Sequence, residues 1–432
     1  MQTDHQKEQN SDFLKTGLLK TKEASYHLSI LSEEKKNEIL KTIQEEIREN
    51  RQKILDANSQ DIERAKKDNL SSALIDRLLI DSKRIDDLIN SLDDIIELSD
   101  PVGEILEGKI LKGGVELIKK RVPLGVVLVI YESRPNVTLD IAALCIKSGN
   151  ACILKGGKEA LNTNVALANC ITSALKKNDP SLENAVTLVP NASRELVSLL
   201  IKCQKEIDIV IPRGGTKLIE YVMQNSSIPV IAHDKGVCNL FIEEDAEKDK
   251  AINIAINAKT QRPGVCNAIE NILVHKNFPY KKELIQSLLD KKVEVRVDEA
   301  LSKLFSNDPD KNFSNLPKAS EEDWGTEYLD LIISIHQVSN IEEACNFINR
   351  YGSKHSDAIV TSSLEKSKIF EKNVDSACLA INVSTRYHDG SMFGMGAEVG
   401  TSTQKLHVRG TMGLRDLTTT KYVLIGSGQI RQ

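Results

Sequence analysis

Two successive series of short apolar segments, separated by stretches of helical periodicity, constrain the fold of this chain more than any other feature. The first series is "GVVLVIY", "ACIL", "AVTLV", "DIVI", "PVIA" and "NLFI" (125–242), and the second is "NILVH", "VEVRV", "LDLIISI", "DAIVT" and "ACLAINV" (271–383). Strands that are apolar without alternation are buried on both faces, and helices between them connect the strands in parallel. The sequence therefore predicts an α/β protein with two parallel sheets, each covered by helices.

The regions outside these series predict a helical start and a small β element. Within residues 1–100 the apolar residues of 85–96 recur at helical spacing, and Ser32 is suited to cap a helix. Residues 103–121 contain short apolar runs broken by Lys112-Gly113-Gly114, which is typical of a β-hairpin. The C-terminal "TTTKYVLIGSGQIRQ" is β-prone without a sheet of its own, so we expect it to pair with the hairpin or with another subunit.

Charge and composition exclude several functional classes. The chain has 57 Lys and Arg against 62 Asp and Glu, a net charge of -5, which gives no reason to expect nucleic acid or an anionic membrane as partner. The longest apolar run (122–131) has about ten residues, whereas a membrane helix needs about twenty. The N-terminus lacks the apolar stretch of a secretion signal. The eight cysteines are too scattered for a disulfide framework, and no zinc-binding spacing occurs. We therefore expect a reduced, metal-free, cytoplasmic protein.

One cysteine lies in a context that favours chemistry. Cys266 is preceded by Pro263-Gly264, a turn signal, and the following "CNAIENILVH" predicts a short helix beginning at the thiol. The N–H groups and dipole of a helix N-terminus lower the pKa of a thiol, and Arg262 adds positive charge. The alternative is an apolar packed thiol, the usual state of a free cysteine. That alternative suits the cysteines that lie inside apolar runs, namely Cys145, Cys152, Cys170 and Cys378.

Two glycine pairs follow strands of the first series. "LKGGKEA" (154–160) and "IPRGGTKLIEYV" (211–222) place a glycine pair between a strand and a helix, where backbone N–H groups can approach a phosphate. An ordinary strand-to-helix turn explains each pair equally well. Two such pairs on one sheet, beside Lys155 and Arg213, favour a dinucleotide. Lys155 or Lys158 is placed to meet a 2′-phosphate, which favours NADP.

Two further segments admit both a functional and a structural interpretation. Asn136 follows the first strand of the first series, at the end of the sheet where ligands bind in open α/β folds. Its amide is either a turn former or a donor to a developing oxyanion. The glycine-rich segment 386–400, which contains Phe393, either lines a pocket or connects two elements.

Taken in order, these motifs resemble the aldehyde dehydrogenase superfamily. The strand before Asn136, "LKGGKEA", "PRGG", "QRPGVCNA", "WGTEYLD" and "HDGSMFGMGAEVG" follow one another as in that superfamily, with "VPLGV" and "STQKLHVRG" in addition. The resemblance runs from about residue 15 to the end. It implies a Rossmann-like NADP-binding domain, an α/β catalytic domain and a small β oligomerisation element. The implied ranges are 1–104 and 122–255 for the cofactor domain, 256–392 for the catalytic domain, 105–121 and 416–432 for the oligomerisation element, and 393–415 for a segment returning to the cofactor domain.

The resemblance also implies a role for individual residues. Cys266 corresponds to the nucleophile, and Asn136 to the residue that shares the oxyanion hole with the backbone N–H of Cys266. The implied cofactor contacts are Lys155, Gly156, Gly157, Arg213, Gly214, Gly215, Glu327 and Phe393, with Glu327 at the nicotinamide ribose. The candidates for binding the phosphate and carboxylate of a substrate are Arg262, Arg386 and Arg409, because guanidinium groups bind such anions through paired donors.

A departure from the hydrolytic members of the superfamily indicates the reaction. Those members carry Glu-Leu-Gly-Gly upstream of the cysteine, and the glutamate activates the deacylating water; this chain has His233-Asp234-Lys235-Gly236 there. An enzyme that exchanges its acyl group with phosphate needs no such base. The resemblance thus implies reduction of L-glutamyl 5-phosphate by NADPH to L-glutamate 5-semialdehyde and phosphate, the second step of proline biosynthesis from glutamate.

The implied partners and the alternative function follow from the same resemblance. A homodimer or homotetramer is implied, while the sequence leaves open an association with glutamate 5-kinase, whose product is labile. The alternative function is that of another acylating aldehyde dehydrogenase, for instance one that uses a coenzyme A thioester.

Overall fold

The computed structural model describes residues 12–132, 134–189, 193–232 and 235–431. The chain divides into two compact units: unit 1 is Met1–Ala232, Gly394–Gly400 and Met412–Gln432, and unit 2 is His233–Phe393 and Thr401–Thr411. The domain boundary expected near residue 256 lies further along the chain than this division. The segment 393–415, which was expected to return to the cofactor domain, is divided between the two units. The predicted α/β class with two parallel sheets is confirmed.

Between residues 12 and 100 unit 1 is mainly helical, as predicted. The helices are α1 (Leu18–Ser29), α2 (Glu33–Glu49), α3 (Arg51–Lys67), α4 (Ser72–Leu78) and α5 (Ser82–Glu97). The Ser32 hydroxyl accepts the Lys35 N–H at 3.4 Å, so the predicted cap of α2 is confirmed. One face of α5 is buried, formed by Ile85, Leu88, Ile89, Leu92 and Ile95.

The predicted hairpin forms between strands β1 (Ile105–Ile110) and β2 (Glu116–Pro123), which pair antiparallel. A parallel four-stranded sheet follows, built from β3 (Val126–Tyr131), β4 (Ala151–Lys155), β5 (Val186–Leu188) and β6 (Ile209–Arg213) in the order β5-β4-β3-β6. Its helices are α6 (Asn136–Lys147), α7 (Leu161–Asn178), α8 (Arg194–Leu200) and α9 (Thr216–Asn225). The segment "PVIA" contributes only a single bridge, between Val210 and Val230, and is not a strand.

Unit 2 contains a parallel six-stranded sheet. Its strands are β7 (Cys238–Ile242), β8 (Ile269–His275), β9 (Glu294–Val297), β10 (Ile332–Val338), β11 (Ser356–Val360) and β12 (Cys378–Ile381), in the order β12-β11-β7-β8-β10-β9. Its helices are α10 (Lys248–Thr260), α11 (Lys281–Asp290), α12 (Glu299–Phe305), α13 (Lys311–Ser314), α14 (Ile341–Tyr351) and α15 (Leu364–Asn373). Strand β7, which ends the first apolar series in the sequence, pairs with β8 and β11 and so belongs to this second sheet.

The C-terminal segment completes a third sheet. Two short strands, β13 (Gly400–Ser402) and β14 (Gly410–Met412), pair with each other and precede β15 (Thr418–Ile425). Strand β15 pairs antiparallel with β2 from Thr418 opposite Pro123 to Ile425 opposite Glu116, so the tail joins the hairpin of its own chain. Among the described residues, no helix combines the length and the apolar character needed to cross a bilayer.

Candidate active site

The amino ends of three neighbouring strands in unit 2 bring Gly236, Cys266 and Glu327 together. These residues precede β7, β8 and β10, which lie side by side in the sheet. A Cβ built on Gly236 would lie 2.6 Å from the Cα of Cys266 and 2.6 Å from Oε1 of Glu327, and it would also overlap the Cys266 carbonyl oxygen. Because Gly236 has no side chain, the backbone of Cys266 and the carboxylate of Glu327 can both lie where a Cβ would otherwise be.

Cys266 lies in a turn, and the helix predicted to begin at this residue does not form. Helix α10 ends at Thr260 and β8 begins at Ile269, with turns between them. The expectation that a helix dipole stabilises the thiolate was therefore wrong. The strand expected over "NILVH" (271–275) is confirmed, and it begins two residues earlier as the completely buried strand β8 (Ile269–His275). Cys266 itself is half-buried, whereas Cys145, Cys152 and Cys170 are fully enclosed in unit 1.

Hydrogen bonds fix the residues around Cys266. The Cys266 carbonyl accepts the Cys238 S–H at 3.1 Å. The next residue, Asn267, donates its amide to the His388 carbonyl at 3.0 Å and accepts the Thr385 hydroxyl on its own carbonyl at 2.6 Å. The turn of residues 261–268, named the nucleophile turn after the role expected of Cys266, is thereby attached to the start of the glycine-rich segment.

His388 is a buried histidine in that segment. Its Nδ1 lies 2.7 Å from the Ser356 hydroxyl, and its ring centre is 5.6 Å from that of Phe393. Burial lowers the pKa of His388 to about 4, although Asp389 acts in the opposite direction. The histidine is therefore neutral at physiological pH. Phe393, one of the residues expected at the cofactor, is 47% exposed.

The three candidate arginines have different surroundings. Arg262 is exposed, and Arg386 donates Nε to the Oε1 of the neighbouring Gln261 at 2.7 Å. These two residues therefore lie beside the nucleophile turn within unit 2. Arg409 is bound to Asp375, with Nη1 2.9 Å from Oδ1 and Nη2 3.0 Å from the backbone oxygen. The guanidinium of Arg409 is therefore already paired with a carboxylate.

In unit 1 the predicted residues follow the carboxyl ends of three adjacent strands. Asn136 is the first residue of α6, after β3, and its amide donates to Oδ2 of Asp140 at 3.0 Å. Desolvation raises the pKa of Asp140 to about 6, and the bond from Asn136 offsets part of that rise. Asp140 thus holds the Asn136 amide in one orientation.

The two glycine pairs also lie at this edge. Lys155 ends β4 opposite Ile130, and Arg213 ends β6 opposite Tyr131. Lys155 is 7% exposed, while Gly156 and Gly157 are half-buried in the turn that follows it. A Cβ on Gly156 would overlap the amide nitrogen of Asn164, a buried donor for which no partner is found among the described residues. This close approach and the unpaired donor are features that suit a bound phosphate or ribose.

The second pair has an acidic neighbour that the sequence did not indicate. Gly215 precedes α9, and its N–H donates to a carboxylate oxygen of Glu132 at 3.0 Å. Gly214 packs against the same carboxylate, and Arg213 lies 4.0 Å from Glu398 of the returning segment. The N-terminus of α9 therefore already binds an anionic group from its own chain.

Sequence reasoning missed three features, and one expectation lies outside the described residues. Gly236, the Glu132 contact and a buried pair of Lys259 with Glu270 were not anticipated. The only signal for the pair was a glutamate within an apolar run, "NAIENILVH". Of the segment that replaces the hydrolytic glutamate motif, His233 and Asp234 lie outside the described residues.

Comparisons with known proteins agree on the family. The model of the aldehyde dehydrogenase family matches residues 10–309. A gamma-glutamyl phosphate reductase of Nautilia profundicola is 48% identical over 97% of this chain and 100% of its own length. One from Clostridium tetani is 46% identical over 95% of this chain and 97% of its own.

Solved structures give the same result at the level of the fold. The crystal structure of gamma-glutamyl phosphate reductase from Thermotoga maritima superposes with a TM-score of 0.93 at 40% identity, covering 98% of this chain and 100% of that one. An acetylating aldehyde dehydrogenase from Geobacillus thermoglucosidasius superposes with a TM-score of 0.69 at 15% identity, with complete coverage of both chains (100% each). The latter likeness concerns the fold alone.

Proposed function

The chain belongs to the aldehyde dehydrogenase family, and from this premise we propose that it reduces L-glutamyl 5-phosphate to L-glutamate 5-semialdehyde and phosphate. The observation that carries the proposal is the similarity, over nearly its whole length, to gamma-glutamyl phosphate reductases, 48% and 46% identical in two cases. The reaction is the second step of proline biosynthesis from glutamate. The meeting of Gly236, Cys266 and Glu327 at one sheet edge supports it independently.

The first step is acyl transfer to Cys266. The thiolate attacks the carbonyl carbon of the acyl phosphate, a carbon–sulfur bond forms, and the bond to the phosphate oxygen breaks, so that phosphate leaves with its electron pair. Asn136 is the proposed donor to the oxyanion that develops on the carbonyl oxygen. Its amide is suited to this role because Asp140 fixes its orientation.

The second step reduces the thioester. When bound, the reduced nicotinamide supplies a hydride to the acyl carbon. The tetrahedral species then releases the aldehyde, and the sulfur of Cys266 leaves as thiolate.

The family uses a nicotinamide cofactor, and we propose NADPH as the form used here. The proposed contacts in unit 1 are Lys155, Gly156, Gly157, Arg213, Gly214 and Gly215. Two features support a phosphate or ribose at the first glycine pair: Lys155 is buried, and the amide nitrogen of Asn164 has no partner among the described residues. Lys158 is exposed just beyond and supplies a cation for a 2′-phosphate. In unit 2, Glu327 is proposed at the nicotinamide ribose and Phe393 beside it.

Arg262 and Arg386 are proposed to bind the anionic groups of the substrate. Both lie beside the nucleophile turn, since Arg262 is within it and Arg386 donates Nε to Oε1 of Gln261 at 2.7 Å. The phosphate and the amino-acid carboxylate each require such a donor. Arg409 remains a candidate, although its guanidinium is held by Asp375.

A homo-oligomer is proposed through the sheet formed by β1, β2 and β15. Large apolar side chains are exposed on its two outer strands: Ile105, Leu106, Ile110, Tyr422, Leu424 and Ile425. Exposed apolar patches of this kind commonly mark protein interfaces. Light scattering coupled to gel filtration tests this, and a monomer at micromolar concentration would contradict it. A cytoplasmic location and association with glutamate 5-kinase remain predictions.

The test of the proposed reaction is its reverse direction. Glutamate semialdehyde should reduce NADP only when phosphate is present, and replacement of phosphate by coenzyme A should give no turnover. Cys266→Ser should lose at least about 10³-fold in rate because a hydroxyl is a far weaker nucleophile. Cys203→Ser, at a half-buried cysteine in unit 1, is the matched control and should keep the wild-type rate. Turnover with coenzyme A in place of phosphate would favour the alternative acylating dehydrogenase, and turnover with neither acceptor would show that water takes the acyl group and would contradict the proposed reaction.

A further inference from the structure

A completely buried ion pair lies between the nucleophile turn and the loop that carries Glu327. Lys259 is in the last turn of α10, and Glu270 is the second residue of β8. Their Nζ and Oε2 atoms are 2.5 Å apart, and both side chains have 0% exposure. The two residues flank Cys266 in the sequence, one before the turn and one after it.

Stability alone does not account for such a pair. Desolvation raises the pKa of Glu270 to about 7, and desolvation also lowers the pKa of Lys259, while the attraction between the two groups offsets part of each effect. Replacement of a buried ion pair by apolar residues of similar volume is often neutral or stabilising, whereas removal of one partner is strongly destabilising. We therefore consider which neighbouring residues the ion pair holds in place.

The pair contacts the two residues that follow Glu327. The free oxygen of Glu270, Oε1, accepts the N–H of Leu329 at 3.4 Å. The ammonium of Lys259 lies 6.0 Å from the ring centre of Tyr328, whose hydroxyl is bonded in turn to Asp323 and Ser334 at 2.7 Å each. The loop that presents Glu327 thus rests on the same two charged groups that flank the nucleophile.

The backbone of this loop needs such support. Leu329 has φ of 55°, in the left-handed region that a branched side chain rarely adopts. A residue persists in this conformation only when its surroundings hold it there. The bond from its N–H to Glu270 is one of the contacts that do so.

We propose that Lys259 and Glu270 are positioning residues that fix the Glu327 loop relative to Cys266. Glu270 acts through its second carboxylate oxygen, which anchors Leu329, and Lys259 fixes the orientation of Glu270. Neither side chain touches the substrate. The inference rests on the proposed function in one respect, since Glu327 is taken to hold the nicotinamide ribose.

The test compares two double variants that differ only in the acceptor for Leu329. Lys259→Met with Glu270→Gln removes both charges and keeps an amide oxygen, while Lys259→Met with Glu270→Leu removes the acceptor as well. Because neither variant leaves an unpaired buried charge, we expect similar Tm values. We expect the Gln form to bind NADPH about tenfold more tightly than the Leu form, measured by quenching of NADPH fluorescence, because the Leu form leaves the N–H of Leu329 unsatisfied.

The outcomes separate this inference from the proposed function. Equal NADPH affinity in the two double variants at equal Tm would overturn the positioning role. Absence of NADPH binding by the unsubstituted chain would instead contradict the proposed cofactor. If a double variant does not fold, the single variant Glu270→Gln is measured instead. An NADPH affinity within about threefold of wild type, despite a lower Tm, supports the proposal that residue 270 anchors Leu329. A loss of affinity of tenfold or more contradicts it. The alkylation rate of Cys266 by iodoacetamide, measured without cofactor, shows whether the nucleophile turn moves as well.

Discussion

Gly236 lies against the backbone of Cys266 so closely that no methyl group fits between them. The Cβ of an alanine would be 2.6 Å from the Cα of Cys266 and would overlap its carbonyl oxygen, and neither atom belongs to a flexible side chain. Real Cβ contacts of this length do not occur, so the two chain segments would have to separate.

Gly236→Ala should therefore displace the nucleophile turn. We expect a loss of stability of about 1–3 kcal/mol, typical of overpacking, and a loss of activity larger than that of any other alanine substitution outside the catalytic residues. Urea unfolding and steady-state kinetics measure the two effects. Gly215→Ala, at a glycine whose Cβ would meet no atom within 4 Å, is the steric control for stability. Wild-type kinetics in Gly236→Ala would show that the turn tolerates displacement.

Asn136→Ala should lower kcat by about 10²–10³, because one donor to the oxyanion is lost. The KM for substrate should change little, since the bond forms fully only in the transition state. Asn169→Ala, on the exposed side of α7, removes an amide elsewhere in unit 1 and should have no effect. A fall in kcat of less than about tenfold would exclude Asn136 from the oxyanion site.

Lys158→Glu should shift the cofactor preference from NADPH towards NADH. A carboxylate at this position repels the 2′-phosphate and can instead bond the ribose hydroxyl. We expect the ratio of kcat/KM for NADPH over NADH to fall by about tenfold or more, as one surface ion pair becomes a repulsion. Lys202→Glu makes the same charge change at an exposed site in unit 1. An unchanged ratio would indicate that Lys155, rather than Lys158, contacts the 2′-phosphate.

Acid should destabilise the protein through His388. Its folded pKa, about 4, lies below the usual value of 6.5, so the unfolded chain binds the proton more readily. Stability contributed by the neutral histidine is present above pH 6.5 and is lost as the pH falls towards 4. Between pH 7 and pH 5 the cost is about 1–2 kcal/mol.

His388→Asn should flatten that part of the pH profile, because the amide does not titrate. Urea unfolding at pH 7 and pH 5 measures the difference, and His27→Asn, at an exposed histidine of α1, should leave the slope unchanged. If the slope of His388→Asn equals that of wild type, another group is responsible for the acid sensitivity.

The sequence predicted the strands well because completely apolar segments such as "VVLVIY" have few alternatives to a buried parallel strand. It also placed Asn136 and both glycine pairs directly after strands of the first sheet, and Cys266 after a turn. It failed where tertiary pairing decides the outcome. The sequence predicted a strand over 271–275 but also a short helix beginning at Cys266, and the structure has turns at 261–268 because β8 already pairs between β7 and β10 from Ile269 onward.

Close contacts between backbone segments and buried ion pairs could not be predicted from the sequence either. The residues around Gly236 in the sequence do not indicate that this glycine packs against the backbone of Cys266. The two residues are brought together only by the pairing of β7 with β8. The pairing of Lys259 with Glu270 depends likewise on the end of α10 meeting the start of β8. Such contacts arise from the arrangement of elements rather than from local pattern.

The pairing of β15 with β2 has a consequence for biosynthesis. The middle strand of the three-stranded sheet leaves the ribosome long before Thr418–Ile425 is translated, so one edge of the hairpin stays open while the rest of the polypeptide emerges. Open strand edges pair with strands of other chains, and a nascent chain keeps such an edge for seconds during translation. Premature termination just before β15 should therefore yield aggregates rather than a shortened soluble product.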